Sequence, residues 1–243
     1  LLHSDCRFSA GDTILEAGCG VGAQTSILAK NNPDSHFTSI DISQNSIDLA
    51  EKRIAESGIS NVIFKKEDIN NLTFPENSFD HIFVCFVLEH LDDPSLALLE
   101  LKRVLKPGGS ITLIEGDHGS CFWHPQSETA LQTWHSFIKA QSDLGHDGLI
   151  GRRLYPLLNE AKFKIEDVSP RWVYADNMNP VLLDGVVNKI IVPMVQSAKM
   201  QVLDSKLLST EIWDEGIRDL SEVGEVAEGT FFYTWFKGVG VKP

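Results

Sequence analysis

A glycine-rich turn near the start of the sequence is the feature whose residue types best suit ligand chemistry. The segment LEAGCGVG occupies residues 15–22 and follows a short apolar run. Glycine at alternate positions lets the backbone bend sharply and approach a bulky ligand closely, and a following helix offers free N–H groups at its start. Because such turns at the carboxyl ends of parallel strands bind nucleotide-like cofactors, this segment predicts a cofactor site.

Three acidic residues indicate which kind of cofactor would fit. Glu16 lies two positions before the first glycine, where a carboxylate suits a cationic group and would repel a pyrophosphate. Asp41 ends the second predicted strand and can accept from ribose hydroxyls, and Asp68 follows the third and can accept from an adenine amine. Residues 18–23 also fit a loose G-x-G-x-x-A dinucleotide fingerprint, so the residues alone leave an NAD-dependent dehydrogenase open as an alternative.

Strand and helix patterns alternate through the first half of the chain. Apolar runs indicate strands, and apolar residues at helical spacing indicate helices, with Ser43 and Asp93 as N-caps. This alternation predicts a parallel sheet with helices on both faces. The predicted strands are 13–17, 37–42, 61–65, 79–86 and 110–115, the predicted helices are 23–30, 44–57 and 94–105, and a turn is expected at 106–109.

The pattern changes after Glu115. A loop rich in His, Trp and Gly is expected from Gly116, and one later helix carries a long apolar stripe that must be buried. We predict one domain over residues 1–243, with a cofactor-binding core at 12–115 and substrate or lid elements at 116–150 and 175–228. The predicted helices are 128–143, 152–161, one starting at Pro180 behind Asn179, and 205–220; the predicted strands are 163–174 and 230–241; the stripe is Leu183, Val186, Val187, Ile190, Ile191 and Met194.

Five stretches in order between residues 12 and 115 resemble the class I S-adenosylmethionine-dependent methyltransferases. They are LEAGCGVG, SIDIS, KKEDI, FDHIFVCFVLEHL and LKRVLKPGGSITLIE. The small-molecule branch with ubiquinone- and menaquinone-biosynthesis-type methyltransferases is the most similar. The resemblance implies an α/β fold, a seven-stranded, mostly parallel Rossmann-like sheet with helices on both faces and a helical insertion before the last, antiparallel strand. It also implies S-adenosyl-L-methionine as cofactor.

The resemblance further implies a set of cofactor-binding residues. The glycine turn with Glu16 would surround the methionine part, Asp41 would hold the ribose, and Asp68 would meet the adenine edge. The full set is Glu16, Ala17, Gly18, Gly20, Gly22, Asp41, Ile42, Asp68, Ile69, Cys85 and Phe86. The implied activity is in-line methyl transfer to a small-molecule acceptor, and a non-catalytic cofactor-binding or regulatory module on the same scaffold is the alternative.

Three histidines are candidates for deprotonating an acceptor. A phenol, alcohol or amine needs to lose a proton, and histidine titrates near neutral pH. His118 and His124 follow the fifth predicted strand, and His90 follows the fourth. The chain shows no pattern of Asp and Asn residues suited to magnesium, so no metal is expected.

Composition limits the partners. The net charge is −13 with a pI near 5.0, whereas nucleic-acid binders usually carry a basic surface, so nucleic acid and an anionic membrane are not expected as partners. No apolar run approaches the roughly 20 residues of a membrane helix. The four cysteines form no C-x-x-C pair, which favours a reducing, cytoplasmic location. As an alternative to contacting the acceptor, the helical insertion is expected to form the interface of a homodimer.

Overall fold

The computed structural model describes residues 6–243, which fall into two compact units. The first unit contains the chain up to Glu115 together with Gly151–Ser169 and Phe236–Pro243. The second contains Gly116–Ile150 and Pro170–Trp235. The predicted cofactor-binding core therefore lies within the first unit.

Seven strands form one sheet with the order β3-β2-β1-β4-β5-β7-β6. β1 to β5 pair in parallel. β7 runs antiparallel to β5, because Lys242, directly after β7, exchanges backbone hydrogen bonds with Gly108 and Gly109. This confirms the predicted fold. The dinucleotide-binding order 3-2-1-4-5-6 has no such strand between β5 and β6. The strands are β1 (Thr13–Ala17), β2 (His36–Asp41), β3 (Val62–Lys66), β4 (Phe79–Cys85), β5 (Leu105–His124), β6 (Lys164–Asp176) and β7 (Thr230–Val241).

The helices begin where the sequence provides caps. The side chains of Ser43, Asp93 and Asn179 accept hydrogen bonds from the backbone N–H three residues on, as predicted. The helices are α1 (Ala23–Asn31), α2 (Gln44–Glu56), α3 (Pro94–Val104), α4 (Glu128–Asp143), α5 (Leu154–Glu160), α6 (Pro180–Val186), α7 (Val192–Gln196), α8 (Lys199–Asp204) and α9 (Thr210–Glu222), with 3₁₀ turns at Leu88–His90 and Ile150–Arg153 and a π-helical turn at Val187–Ile191.

β5 is much longer than predicted. The expected loop after Gly116 is wrong, because the strand continues to His124. The residues expected to form a turn, 106–109, lie inside β5 as a bulge: Gly108 has a φ of 77°, and the register with β4 shifts between Leu105 and Ser110. The N–H of Gly108 bonds to the carbonyl of Lys242, and Trp123, 4% exposed, stacks on Phe231. A strand far along the chain thus supplies the contacts that extend β5 beyond its predicted end.

The apolar stripe of the insertion is buried only in part. Leu183, Val187 and Ile191 are at most 2% exposed, but Ile190 is 60% exposed, and Met194 is half-buried. The π-helical turn explains the difference, because its wider turn shifts the buried face by one residue relative to an α-helix. After the turn, Val192 and Val195 are buried instead.

The helix predicted at 205–220 is α9, which begins five residues later than predicted, and a separate helix, α8, precedes it. α8 ends at Asp204, and α9 begins at Thr210, where the side chain of Ser209 accepts from the N–H of Ile212. Across the described part of the chain, residues 6–243, no helix has the length and apolar character needed to cross a membrane.

The central strands of the first unit are buried on both faces. Four of the five residues of β1 and the last residues of β4 before Cys85 are buried, as is usual for parallel strands covered by helices. These strands give the residues at their carboxyl ends a rigid base, and the candidate site lies at that edge.

Candidate functional site

A cavity of about 460 Å³ opens in the first unit beside the carboxyl ends of β1, β2, β3 and β4. This is the edge at which α/β sheets bind their ligands. The residues that line it are Gly18, Gly20, Ile40, Asp41, Ile42, Glu67, Asp68, Ile69, Asn70, Phe86, Val87, His90 and Leu91.

The glycine turn forms one wall of the cavity. Gly18 and Gly20 have φ angles of 81° and 51°, in the left-handed region that favours glycine. A Cβ atom on Gly18 would lie 2.3 Å from Cγ2 of Val87, whereas a Cβ atom on Gly20 would meet no protein atom within 4 Å. Gly20 therefore borders open space that a ligand can occupy and a side chain would fill.

Asp41 is held in place by two backbone groups. Its Oδ2 accepts from the N–H of Gly20 at 2.8 Å, and its Oδ1 accepts from the N–H of Ser43 at 2.9 Å. Each carboxylate oxygen keeps a further lone pair for a ligand hydroxyl. The carboxylate is thus oriented before a ligand binds, which suits recognition of a ribose.

Another part of the cavity lining combines a carboxylate with apolar surface. Asp68 is exposed, and its Oδ1 accepts from the N–H of Asn70 at 2.9 Å. Ile42 is 67% exposed and Ile69 is 9% exposed. Apolar side chains beside a hydrogen-bond acceptor fit the faces and the amine of an adenine. Together with the open space at Gly20 and the oriented Asp41, this chemistry fits S-adenosylmethionine.

Glu16 lies beneath the cavity and does not line it. The residue is 2% exposed, and its Oε2 accepts from the hydroxyls of Thr25 and Ser39, both at 2.6 Å. Burial raises its pKa to about 7, and the two hydroxyl bonds oppose that rise. Ala17, Gly22 and Cys85, which the resemblance also implies, likewise lie outside the cavity lining.

The segment after β4 forms the second wall and was only partly predicted. Phe86 lines the cavity with a φ angle of 56°, and the sequence reasoning missed Val87 and Leu91. Both belong to the stretch FDHIFVCFVLEHL, so the motif contained them, but no residue type singled them out. The other lining residues that were missed are Ile40, Glu67 and Asn70, which adjoin predicted ones.

The three candidate histidines occupy different environments. His90 is exposed and lines the cavity, with Nε2 3.4 Å from Oε1 of Glu89. His118, in the second unit, is 2% exposed, and its Nδ1 lies 2.9 Å from the hydroxyl oxygen of Tyr233. His124 is exposed at the end of β5. Among the three, His90 is the one that borders the cavity.

Comparisons with known proteins agree with this geometry. Residues 15–113 match the family described as a methyltransferase domain. An uncharacterized methyltransferase of Schizosaccharomyces pombe is 34% identical over 178 residues, which cover 68% of this chain and 62% of that protein. A demethylmenaquinone methyltransferase of Listeria monocytogenes is 32% identical over 110 residues, covering 45% of this chain and 46% of that one. The chain thus spans 62% of the length of the first relative and 46% of the length of the second.

A solved structure shows the same fold over nearly the whole chain. It is phosphoethanolamine N-methyltransferase 2 of Haemonchus contortus in complex with phosphomonomethylethanolamine and S-adenosylhomocysteine, with a TM-score of 0.60, 18% identity, and coverage of 97% of this chain and 50% of that chain. The strand order and the family match make residues 15–113 a methyltransferase domain of the class I fold. S-adenosylmethionine is the cofactor of this family, which confirms the resemblance found in the sequence.

Proposed function

We propose that this chain transfers a methyl group from S-adenosylmethionine to a small-molecule acceptor. The observation that carries the proposal is one cavity that joins the open turn at Gly20 to the carboxylates of Asp41 and Asp68. Bound S-adenosylmethionine supplies an electrophilic methyl group on a cationic sulfur, which an in-line acceptor can attack. Asp41 would hold the ribose, Asp68 the adenine amine, and Ile42 and Ile69 the adenine faces.

The buried carboxyl of Glu16 supports the backbone around the cavity. Its two hydroxyl partners lie on α1 and β2, so Glu16 ties β1 to both elements that frame the glycine turn. A carboxyl whose pKa lies about 7 can adjust its charge when a cationic ligand binds nearby. We infer that Glu16 acts from beneath the site on the methionine end of the cofactor.

The residues offer a route for removing a proton from the acceptor. His90 lines the cavity beside Glu89, and a histidine near a carboxylate is a common general base. We infer that His90 accepts the proton, with His118 and His124 as the other candidates. If so, His90→Gln lowers the methyl-transfer rate at pH 7 by about 100-fold and leaves cofactor affinity unchanged. Equal rates in the variant and wild type would exclude His90 as the base.

The net charge of the chain and the names of similar proteins both support a small acceptor. A net charge of −13 disfavours phosphate-rich polymers, and the names of two similar methyltransferases specify a demethylated menaquinone and a phosphoethanolamine. The cysteines among residues 6–243 form no disulfide, which supports a reducing, cytoplasmic location. The helical insertion, whose outer surface keeps Ile190 exposed, would contribute acceptor contacts, with dimerisation as its alternative role.

Calorimetry and a turnover assay test the proposal. We expect S-adenosylhomocysteine to bind in the micromolar range and NAD not to bind. Incubation with S-adenosylmethionine and a panel of quinols, phenols and amines should then release S-adenosylhomocysteine with at least one of them. Binding of NAD instead would indicate a dehydrogenase, and cofactor binding without turnover on any acceptor class would favour a regulatory module; either result would overturn the proposal.

A further inference from the structure

Glu115 is a fully buried carboxyl group next to the cofactor cavity, and nothing described so far assigns it a role. It lies in β5, at the end of the motif LKRVLKPGGSITLIE, and is 0% exposed. A buried ionisable side chain is costly unless hydrogen bonds or a function retain it. Its contacts show which segment it acts on.

The carboxyl of Glu115 binds two consecutive backbone N–H groups. Oε1 accepts from Val87 at 3.1 Å and from Leu88 at 2.9 Å. Immediately before them, the N–H of Phe86 donates to the carbonyl of Ile114 at 2.8 Å. Two successive residues of β5 therefore hold three successive N–H groups of the segment that leaves β4.

That segment, residues 86–91, is the second wall of the cavity. Phe86, Val87, His90 and Leu91 line it. The positive φ of Phe86, 56°, is an unfavourable conformation for a side chain of this size and persists only where the surroundings impose it. The bonds from β5 begin at Phe86 itself and continue at Val87 and Leu88, so they hold the chain where it adopts this conformation.

The segment that these bonds hold also contacts the glycine turn. Val87 packs so closely on Gly18 that a Cβ atom there would lie 2.3 Å from its Cγ2. A shift of the Val87 backbone would therefore change the contact between the two walls.

We propose that Glu115 is a positioning residue of the cofactor site, which holds residues 86–91 against the glycine turn through the N–H groups of Val87 and Leu88. The proposal depends on the proposed function only for the identity of the ligand, because the hydrogen bonds of Glu115 are present in the protein without a ligand. Burial raises the pKa of Glu115 to about 8, and the negative charge of Glu89 adds to the effect. The group is therefore mainly neutral at pH 7, and a neutral amide can replace it.

Three substitutions at Glu115 separate the effect of the hydrogen-bond acceptor atom from the effect of the charge. Glu115→Gln keeps an oxygen at the same reach, Glu115→Leu removes it with little change in size, and Glu115→Asp withdraws it by one methylene. We expect the Gln variant to bind S-adenosylhomocysteine within about threefold of wild type at pH 7, and the Leu variant at least tenfold more weakly. The Asp variant should resemble the Leu variant, and it keeps the test available if the Leu variant does not fold.

Hydrogen exchange of the amides of Val87 and Leu88 provides a second readout that needs no ligand. Exchange should be at least tenfold faster in the Leu and Asp variants and unchanged in the Gln variant. Leu101→Ala, at a fully buried position in α3, controls for general loss of stability: affinity should stay near wild type, and any faster exchange should affect other core amides as much as those of Val87 and Leu88. If all Glu115 variants keep wild-type affinity and exchange, or if the Gln variant fails like the Leu variant, the proposal is wrong.

The two readouts also separate this proposal from the proposed function. If wild-type protein does not bind S-adenosylhomocysteine, the proposed function fails. The exchange rates of the ligand-free variants then still decide whether Glu115 holds the segment.

Discussion

Substitution of Gly20 by alanine tests the cavity more cleanly than any other glycine in the turn. A Cβ atom at Gly18 would strike Val87, so a change there disturbs folding, but a Cβ atom at Gly20 meets no protein atom within 4 Å. The added methyl group enters the space that a ligand would occupy. Gly20→Ala should therefore weaken binding while the protein remains folded.

The magnitudes follow from the backbone and from the added volume. A left-handed conformation costs a non-glycine residue about 1–2 kcal/mol, partly offset by the lower entropy of the unfolded chain. Stability should thus fall by about 1 kcal/mol. Inserting a methyl group into a close-packed contact costs about 1–3 kcal/mol, so affinity for S-adenosylhomocysteine should fall by about 5- to 150-fold.

Gly58→Ala is the matched control. Gly58 follows α2 with a φ of 66°, has no atom within 4 Å of an added Cβ, and is not in the cavity lining. It should show the same loss in urea unfolding and less than a twofold change in affinity by calorimetry. Equal affinities in the Gly20 and Gly58 variants would refute the assignment of the cavity to the cofactor.

Three further predictions address the ribose site, the buried acids and the insertion. Asp41→Ala should weaken S-adenosylhomocysteine binding by about 1.5–3 kcal/mol in calorimetry, since a charged hydrogen-bond acceptor is lost. The control variant Asp48→Ala, on the exposed side of α2, should bind with unchanged affinity. Similar losses of affinity in both variants would exclude a ribose contact. Because the pKa values of Glu16 and Glu115 are raised from 4.5 to about 7 and about 8, their contribution to stability is complete below pH 4.5 and is lost as the pH rises from there through about 7 for Glu16 and about 8 for Glu115. Urea unfolding should show a slope near 1.4 kcal/mol per pH unit for each group, and Glu115→Gln should remove one such slope; an unchanged slope would contradict the assignment. Ile190→Glu should lower methyl transfer about tenfold through loss of apolar contact without altering cofactor affinity or the elution volume on size exclusion, and a changed elution volume would instead indicate a subunit interface.

Local signals in the sequence were sufficient to predict most of the structure of the first unit. Caps such as Ser43 and Asp93 act within one helical turn, and the glycine turn needs only its own residues to adopt positive φ angles. The cavity residues Asp41 and Asp68 could be placed because strands of a parallel sheet end at one edge. These features depend on neighbours a few positions away, which a sequence pattern contains.

The errors arose where distant residues decide the structure. The extension of β5 depends on pairing with β7, which lies more than a hundred positions later, and the hydroxyl beside His118 belongs to Tyr233. Glu115 ends a predicted strand and looks like an exposed acid until its bonds to Val87 and Leu88 are seen. No periodicity distinguishes a carboxyl that holds a backbone from one that faces water.

The π-helical turn at Val187–Ile191 also bears on how the insertion can vary in length. Such a turn contains one residue more than the α-helical turn it replaces, so it acts as a single-residue insertion that the helix has absorbed. Deletion of Lys189, which is exposed and pairs with Asp184 at the surface, would remove that extra residue, and the helix would keep a kink at Pro193, which has no N–H to donate. Elsewhere in a helix a one-residue deletion rotates every later side chain out of its contacts by about 100°. Here the same deletion would remove only the residue that the wider turn absorbs, so among the helical positions of the insertion this turn can lose a residue at the least cost.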